Sequence, residues 1–205
     1  MLLTEESYEN RNFSDYGYFD GDTVEKKRFT RCAFRCMDLE DKVFRKCVFD
    51  DCDFAMAQMT GARFLGCAFL NCSLPHVNLL AAAFEVCKFT GSSFASSDMG
   101  GARFEECDFS FATVVGLRFR KKDVAGMNFE EARLYDCAFL ESRLRACRFR
   151  HAFFEKVSFE GSDITGCDFS SSNLTVCDLK GAHLSLAQCV MIAESFGAVC
   201  EDVGN

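Results

Sequence analysis

The sequence predicts an all-β repeat solenoid closed by a C-terminal α-helix, and three observations predict it. Large apolar residues recur every five positions from Phe29 to Leu184. A second series, two residues before each of these, is filled mainly by Cys, Ala and Ser. The period then stops, and Ser185-Leu-Ala-Gln188 opens a segment with helical spacing.

The main series runs unbroken through 32 positions, all apolar: 19 Phe, 8 Leu, 2 Met, 2 Val and Ile164. The second series holds 11 Cys, 8 Ala and 5 Ser, so small side chains dominate it. The other three positions of each five carry nearly all the charge and glycine, as in Cys47-Val-Phe49-Asp-Asp51. Two positions therefore face in and three face out. A period of five matches neither the 3.6 of an α-helix nor the alternation of a long strand, so each pentad is one short side of a coil.

Composition bounds the function. With 205 residues, 49% of them hydrophobic, the chain can build one core, and disordered and collagenous classes are excluded. No stretch approaches the length of a membrane span, and Met1–Ser7 lacks the features of a signal peptide. A cytoplasmic protein is expected, with its 14 cysteines as thiols.

Ala62-Arg-Phe64-Leu-Gly66 and Ser162-Asp-Ile164-Thr-Gly166 fit the pattern small, polar, Phe or Leu, polar, Gly. Over residues 27–186 the chain resembles the pentapeptide-repeat family. That resemblance implies a right-handed quadrilateral β-helix with four pentads to a turn, hence about eight coils and a rod of roughly 35 Å. Residues twenty apart should then stack, which places Phe29, Phe49, Phe69, Phe89, Phe109, Phe129, Phe149 and Phe169 in one internal ladder. Cys47, Cys67, Cys87, Cys107, Cys147 and Cys167 form another on the same side.

These cysteines lie five or twenty apart rather than at metal-ligand spacing, and His76, His151 and His183 fall on outward positions. No catalytic residue, cofactor or metal is expected, and the protein reads as a non-enzyme. Lys27, Lys42 and Lys122 interrupt the small series. Lys27 is expected at the open end of the rod, and Lys42 and Lys122 at bulges that turn the ammonium to solvent.

The net charge is −8, yet residues 27–184 hold 21 acids and 21 bases. Acids concentrate early, at Asp38, Glu40, Asp50 and Asp51, and bases later, at Arg118, Arg120, Lys121, Arg143 and Arg145. The basic cluster lacks a base-reading element, so direct nucleic-acid binding is not expected. Outward Phe111, Val115, Tyr135 and Phe153 map near one corner and favour a protein partner.

Both rod ends need covering. Tyr8, Phe13 and Tyr18 are one residue out of phase with Phe19, Val24 and Phe29, so residues 1–26 are expected to be an irregular acidic cap on a β-helix of 27–184. Residues 185–205 are expected to hold a helix over 186–196, with Leu186, Cys189, Val190, Ala193 and Phe196 as an apolar stripe. The segment Gln188–Cys200, with Arg28–Cys36 near the start, is similar to the Qnr and MfpA-type subfamily. That similarity implies a tail-to-tail homodimer through the stripe and a DNA-mimicking rod that binds DNA gyrase or topoisomerase IV, protecting it from poisons such as quinolones. The residue pattern alone leaves a second reading open, a non-enzymatic adaptor presenting the aromatic patch to a regulatory partner.

Overall fold

The computed structural model describes residues 3–97, 99 and 101–201. Three-residue strands centred on the periodic residues pair in parallel with the strand one turn on. Arg28–Thr30, Val48–Asp50 and Ala68–Leu70 run in register, as do Val43–Arg45, Arg63–Leu65 and Ala83–Glu85. The partner is twenty residues away, so four pentads make a turn of a right-handed quadrilateral β-helix. The coil turns a corner two residues after each centre, where Asp51 and His151 adopt φ of 56° and 55°. At the Gly61 corner φ is 68°, and a Cβ would collide with the Asp41 carboxylate.

The coil makes about seven regular turns, near the eight expected. Isolated bridges carry the ladder on to Asp178 and His183, past a 3-10 turn at Leu174–Val176.

The eight Phe of the first side form a continuous buried stack with ring centroids 4.8–5.4 Å apart. Identical side chains at the 4.8 Å strand spacing stack face to face, while neighbouring sides meet edge to face, as between Phe89 and Phe94.

The small series also has a polar task. Cys47, Cys67, Cys87 and Cys107 donate Sγ–H to the carbonyls of Val24, Phe44, Phe64 and Phe84 at 3.3–3.5 Å. Serine does the same at Ser92, which donates to the Phe69 carbonyl and accepts from the Cys72 amide. Thiol and hydroxyl thus satisfy inward carbonyls of the preceding turn, which is why Cys and Ser interchange there.

Burial pushes the Cys107 thiol up to about 12 and the Cys137 thiol to about 11, from an ordinary 9.0. The native state keeps both neutral, whereas the unfolded chain ionises them near 9.0. The stability they contribute is complete below pH 9 and is lost as pH rises toward 12. Urea midpoints are expected to fall between about pH 8 and about pH 10.5, and Cys137→Ala should flatten that fall. An unchanged slope in the variant would show that the thiol is not buried.

The front of the chain differs from expectation. Residues 7–25 form a first coil rather than an irregular cap: Ser7–Glu9 pairs with Arg28–Thr30, and Thr23–Glu25 with Val43–Arg45. The phase slip is absorbed at the 3-10 turn Ser14–Tyr16, because pairing is 21 residues apart before it and 20 after it. Tyr8 and Phe13 consequently stack on Phe29 and Phe34, and Tyr18 is turned out.

Lys27 reaches the Glu5 carbonyl at 2.5 Å, beneath that first coil rather than at the open end. Lys42 makes no bulge, since the register runs unbroken from Thr23 through Val43 to Arg63. Its ammonium bonds the Gly21 carbonyl at 2.7 Å and faces Asp22 at 3.5 Å, so a long stem carries the charge to the rim. Lys122 is exposed where the ladder itself opens. Arg103–Glu105 pairs upward with Ala83–Glu85, and Asp123–Ala125 downward with Arg143–Arg145, but these two strands do not pair with each other.

At the back, Leu186–Ser195 is an α-helix opened by a reciprocal capping box between Ser185 and Gln188.

Candidate partner-binding surface

The four-sided coil divides the acidic and aromatic residues singled out in the sequence. Asp38 bridges Tyr18 and Gln58 on the side centred on Leu39 and Met59, and Glu40 lies beyond it. Asp50 is on the Phe29–Phe49–Phe69 side, opposite Asp38, and Asp51 is at the following corner. No single face carries the four acids.

The aromatic residues do come together. Thr113–Val115, Arg133–Tyr135 and Phe153–Glu155 are successive rungs, which places Val115 beside Tyr135 and Phe153 one turn below Arg133. The Tyr135 and Phe153 rings lie 5.7 Å apart, and Phe111 sits at the corner that leads into Thr113–Val115. Phe111 is 56% exposed and Phe153 51%, so the patch is open to a partner.

The later basic residues are largely neutralised by acids about one turn away. Arg145 meets Asp123 at 2.9 Å, Arg118 meets Asp136 at 2.7 Å, and Arg120 and Lys121 share Glu141. Arg120 and Lys121 hold Glu141 below the usual carboxylate range. Pairing between coils spends the charge a phosphate backbone would need.

The C-terminal helix splits the predicted stripe. Gln188 is buried, and its side-chain amide donates to the Ile164 and Cys167 carbonyls at 2.8 and 3.1 Å. Met191 and Ile192 pack against the core cluster. Val190 and Ala193 are half-buried, whereas Leu186, Cys189 and Phe196 are exposed, Phe196 at 76%. The spacing argument missed Gln188 because a polar residue was not sought among those covering the coil end. Its place in the capping box was the available signal.

Among the described residues no group of three or more His, Cys, Asp and Glu is placed to hold a metal ion. None of the described helices is long and apolar enough to cross a membrane.

Two family models match the sequence, a pentapeptide repeat region over residues 116–189 and pentapeptide repeats over 28–66 and 87–121. The chain belongs to the pentapeptide-repeat family. Among solved structures it is similar to a trypsin-treated substitution variant of QnrB1, a plasmid-mediated fluoroquinolone resistance protein. The TM-score is 0.74 and the identity 20%, over 95% of this chain and 97% of that one. Full-length QnrB1 gives a TM-score of 0.67 at 19% identity, covering 94% of this chain and 100% of the other. No curated protein sequence matches this pentapeptide-repeat chain significantly.

Proposed function

We propose that this pentapeptide-repeat chain is a DNA-mimicking topoisomerase-protection protein. It forms a cytoplasmic tail-to-tail homodimer that occupies the DNA-binding surface of DNA gyrase or topoisomerase IV, displacing poisons such as quinolones without bond chemistry. The observation that carries the reading is the C-terminal helix. It caps the coil through Gln188, Met191 and Ile192 yet leaves Leu186, Phe196 and Val199 in solvent. Such an apolar surface at a rod end suits a second copy. Likeness in shape to QnrB1 along nearly the whole chain supports the same reading. A dimer of two such rods with their caps would be roughly 70–100 Å long at the strand spacing of a parallel coil, the scale of a short duplex.

The dimer is tested by light scattering: Phe196→Asp is expected to give a monomer with an unchanged circular-dichroism spectrum. A retained dimer would place the interface elsewhere. The function is tested by gyrase supercoiling with purified protein, titrated with a fluoroquinolone and then with other gyrase poisons. Restored supercoiling is expected, and the monomeric variant should protect less. Neither rescue nor inhibition at micromolar protein would overturn the proposal in favour of an adaptor, for which the Phe111, Val115, Tyr135 and Phe153 patch is the docking surface.

A further inference from the structure

The opening in the ladder is a second candidate site. On the side of the coil centred on Phe104 and Val124, backbone bonds between the turn holding Arg103–Glu105 and the turn holding Asp123–Ala125 are absent among the described residues. In the intact ladder Arg63 donates its amide to the Lys42 carbonyl and Lys46 to the Leu65 carbonyl. The equivalent bonds, Asp123 to Ala102 and Glu106 to Ala125, do not form. Two other sides stay closed, with bridges from Ser93 to Thr113 and from Asp108 to Asn128, so the gap is a wedge.

Leu117 and Lys122 are consecutive bulky members of the small inward series beside this opening. Leu117 is fully buried and takes the space that Cys or Ala fills elsewhere, while Lys122 is exposed. The opening holds a cleft of about 440 Å³, within the range of ligand sites, lined by Phe104, Phe119 and Val124.

Two features specify an occupant. First, the facing strand edges present unpaired amides and carbonyls on both sides, the arrangement that receives an added strand. Second, the rim has spare positive charge. Arg118 is already paired with Asp136, and Asp123 with Arg145, but Arg103 and Lys122 make no ion pair among the described residues, against one unpaired acid, Glu105.

We propose that the wedge receives an extended segment of a partner protein, which adds a strand between Arg103–Glu105 and Asp123–Ala125. Its chemistry is a large apolar side chain flanked by carboxylates. The apolar group continues the Phe64–Phe84–Phe104 stack, whose last step is 5.0 Å, toward Val124. The carboxylates meet Arg103 and Lys122. This stands apart from topoisomerase protection and does not depend on it.

The test is a random heptapeptide library panned on the full-length protein, followed by fluorescence anisotropy on the enriched peptides. An enriched family with an apolar residue between acids is expected. Its affinity should fall at least about tenfold in Arg103→Glu/Lys122→Glu, both exposed side chains whose loss leaves the coil intact. Bound peptide should also slow hydrogen exchange at the Glu106 and Asp123 amides. The proposal is overturned if no family is enriched, if the enriched peptides lack acids, or if they bind the charge-reversed protein equally well.

Discussion

Phe109→Ala is expected to lower the stability of the coil by about 3–5 kcal/mol, the largest effect of any single core substitution considered. Phe109 is fully buried and stacks on Phe89 at 4.8 Å and Phe129 at 5.4 Å, with Phe94 and Phe104 at its edges. Its backbone is held in the ladder above and below, so the walls cannot collapse to refill the space. The cost is therefore transfer and cavity together. Urea unfolding followed by circular dichroism measures it. Phe111→Ala, two residues on and exposed, is the control and should change stability by less than about 0.5 kcal/mol. A loss below about 1 kcal/mol at Phe109 would mean that the stack relaxes around the gap.

Gln188→Leu is expected to cost about 2–4 kcal/mol, concentrated at the C-terminal end. The substitution keeps the side-chain size but removes both donors to the Ile164 and Cys167 carbonyls and the acceptor of the Ser185 amide. Two inward carbonyls of the last turns would lose their partners in a site closed to water. Hydrogen exchange across 186–195 should accelerate far more than across the central coils, and detachment of the helix would weaken any dimer built on it. Uniform loss of protection along the chain would instead show that the helix and the coil unfold as one unit.

The repeat was legible because each pentad has the same two inward positions, so the periodic Phe and the small Cys, Ala and Ser name their own burial. Phe29 through Phe169 could be stacked on paper once four pentads were taken to make a turn. The capping box at Ser185 and Gln188 was legible for the same reason: it is local chemistry, complete within four residues. The N-terminal slip misled, because one extra residue breaks the sequence phase without breaking the coil. The turn at Ser14–Tyr16 takes up that residue, and Tyr8 still stacks on Phe29.

The outward residues were less legible, since solvent-facing positions carry no packing constraint. Val115, Tyr135 and Phe153 share one side because the register of twenty is a distance in space. Asp38 and Asp50 were grouped by closeness in sequence and lie on opposite sides.

By itself the sequence determined the inward and outward positions, the identity of the core and the C-terminal capping box, because a five-residue period repeats the same two inward places in every pentad. Only the tertiary structure decided what Lys42 and Lys122 do. Both are cations in a small inward series, yet Lys42 finds the Gly21 carbonyl and Asp22 at the rim of the first coil, whereas Lys122 follows the buried Leu117 into an unzipped wedge. The difference lies in what the coil above offers, a neighbour twenty residues away that no local reading supplies.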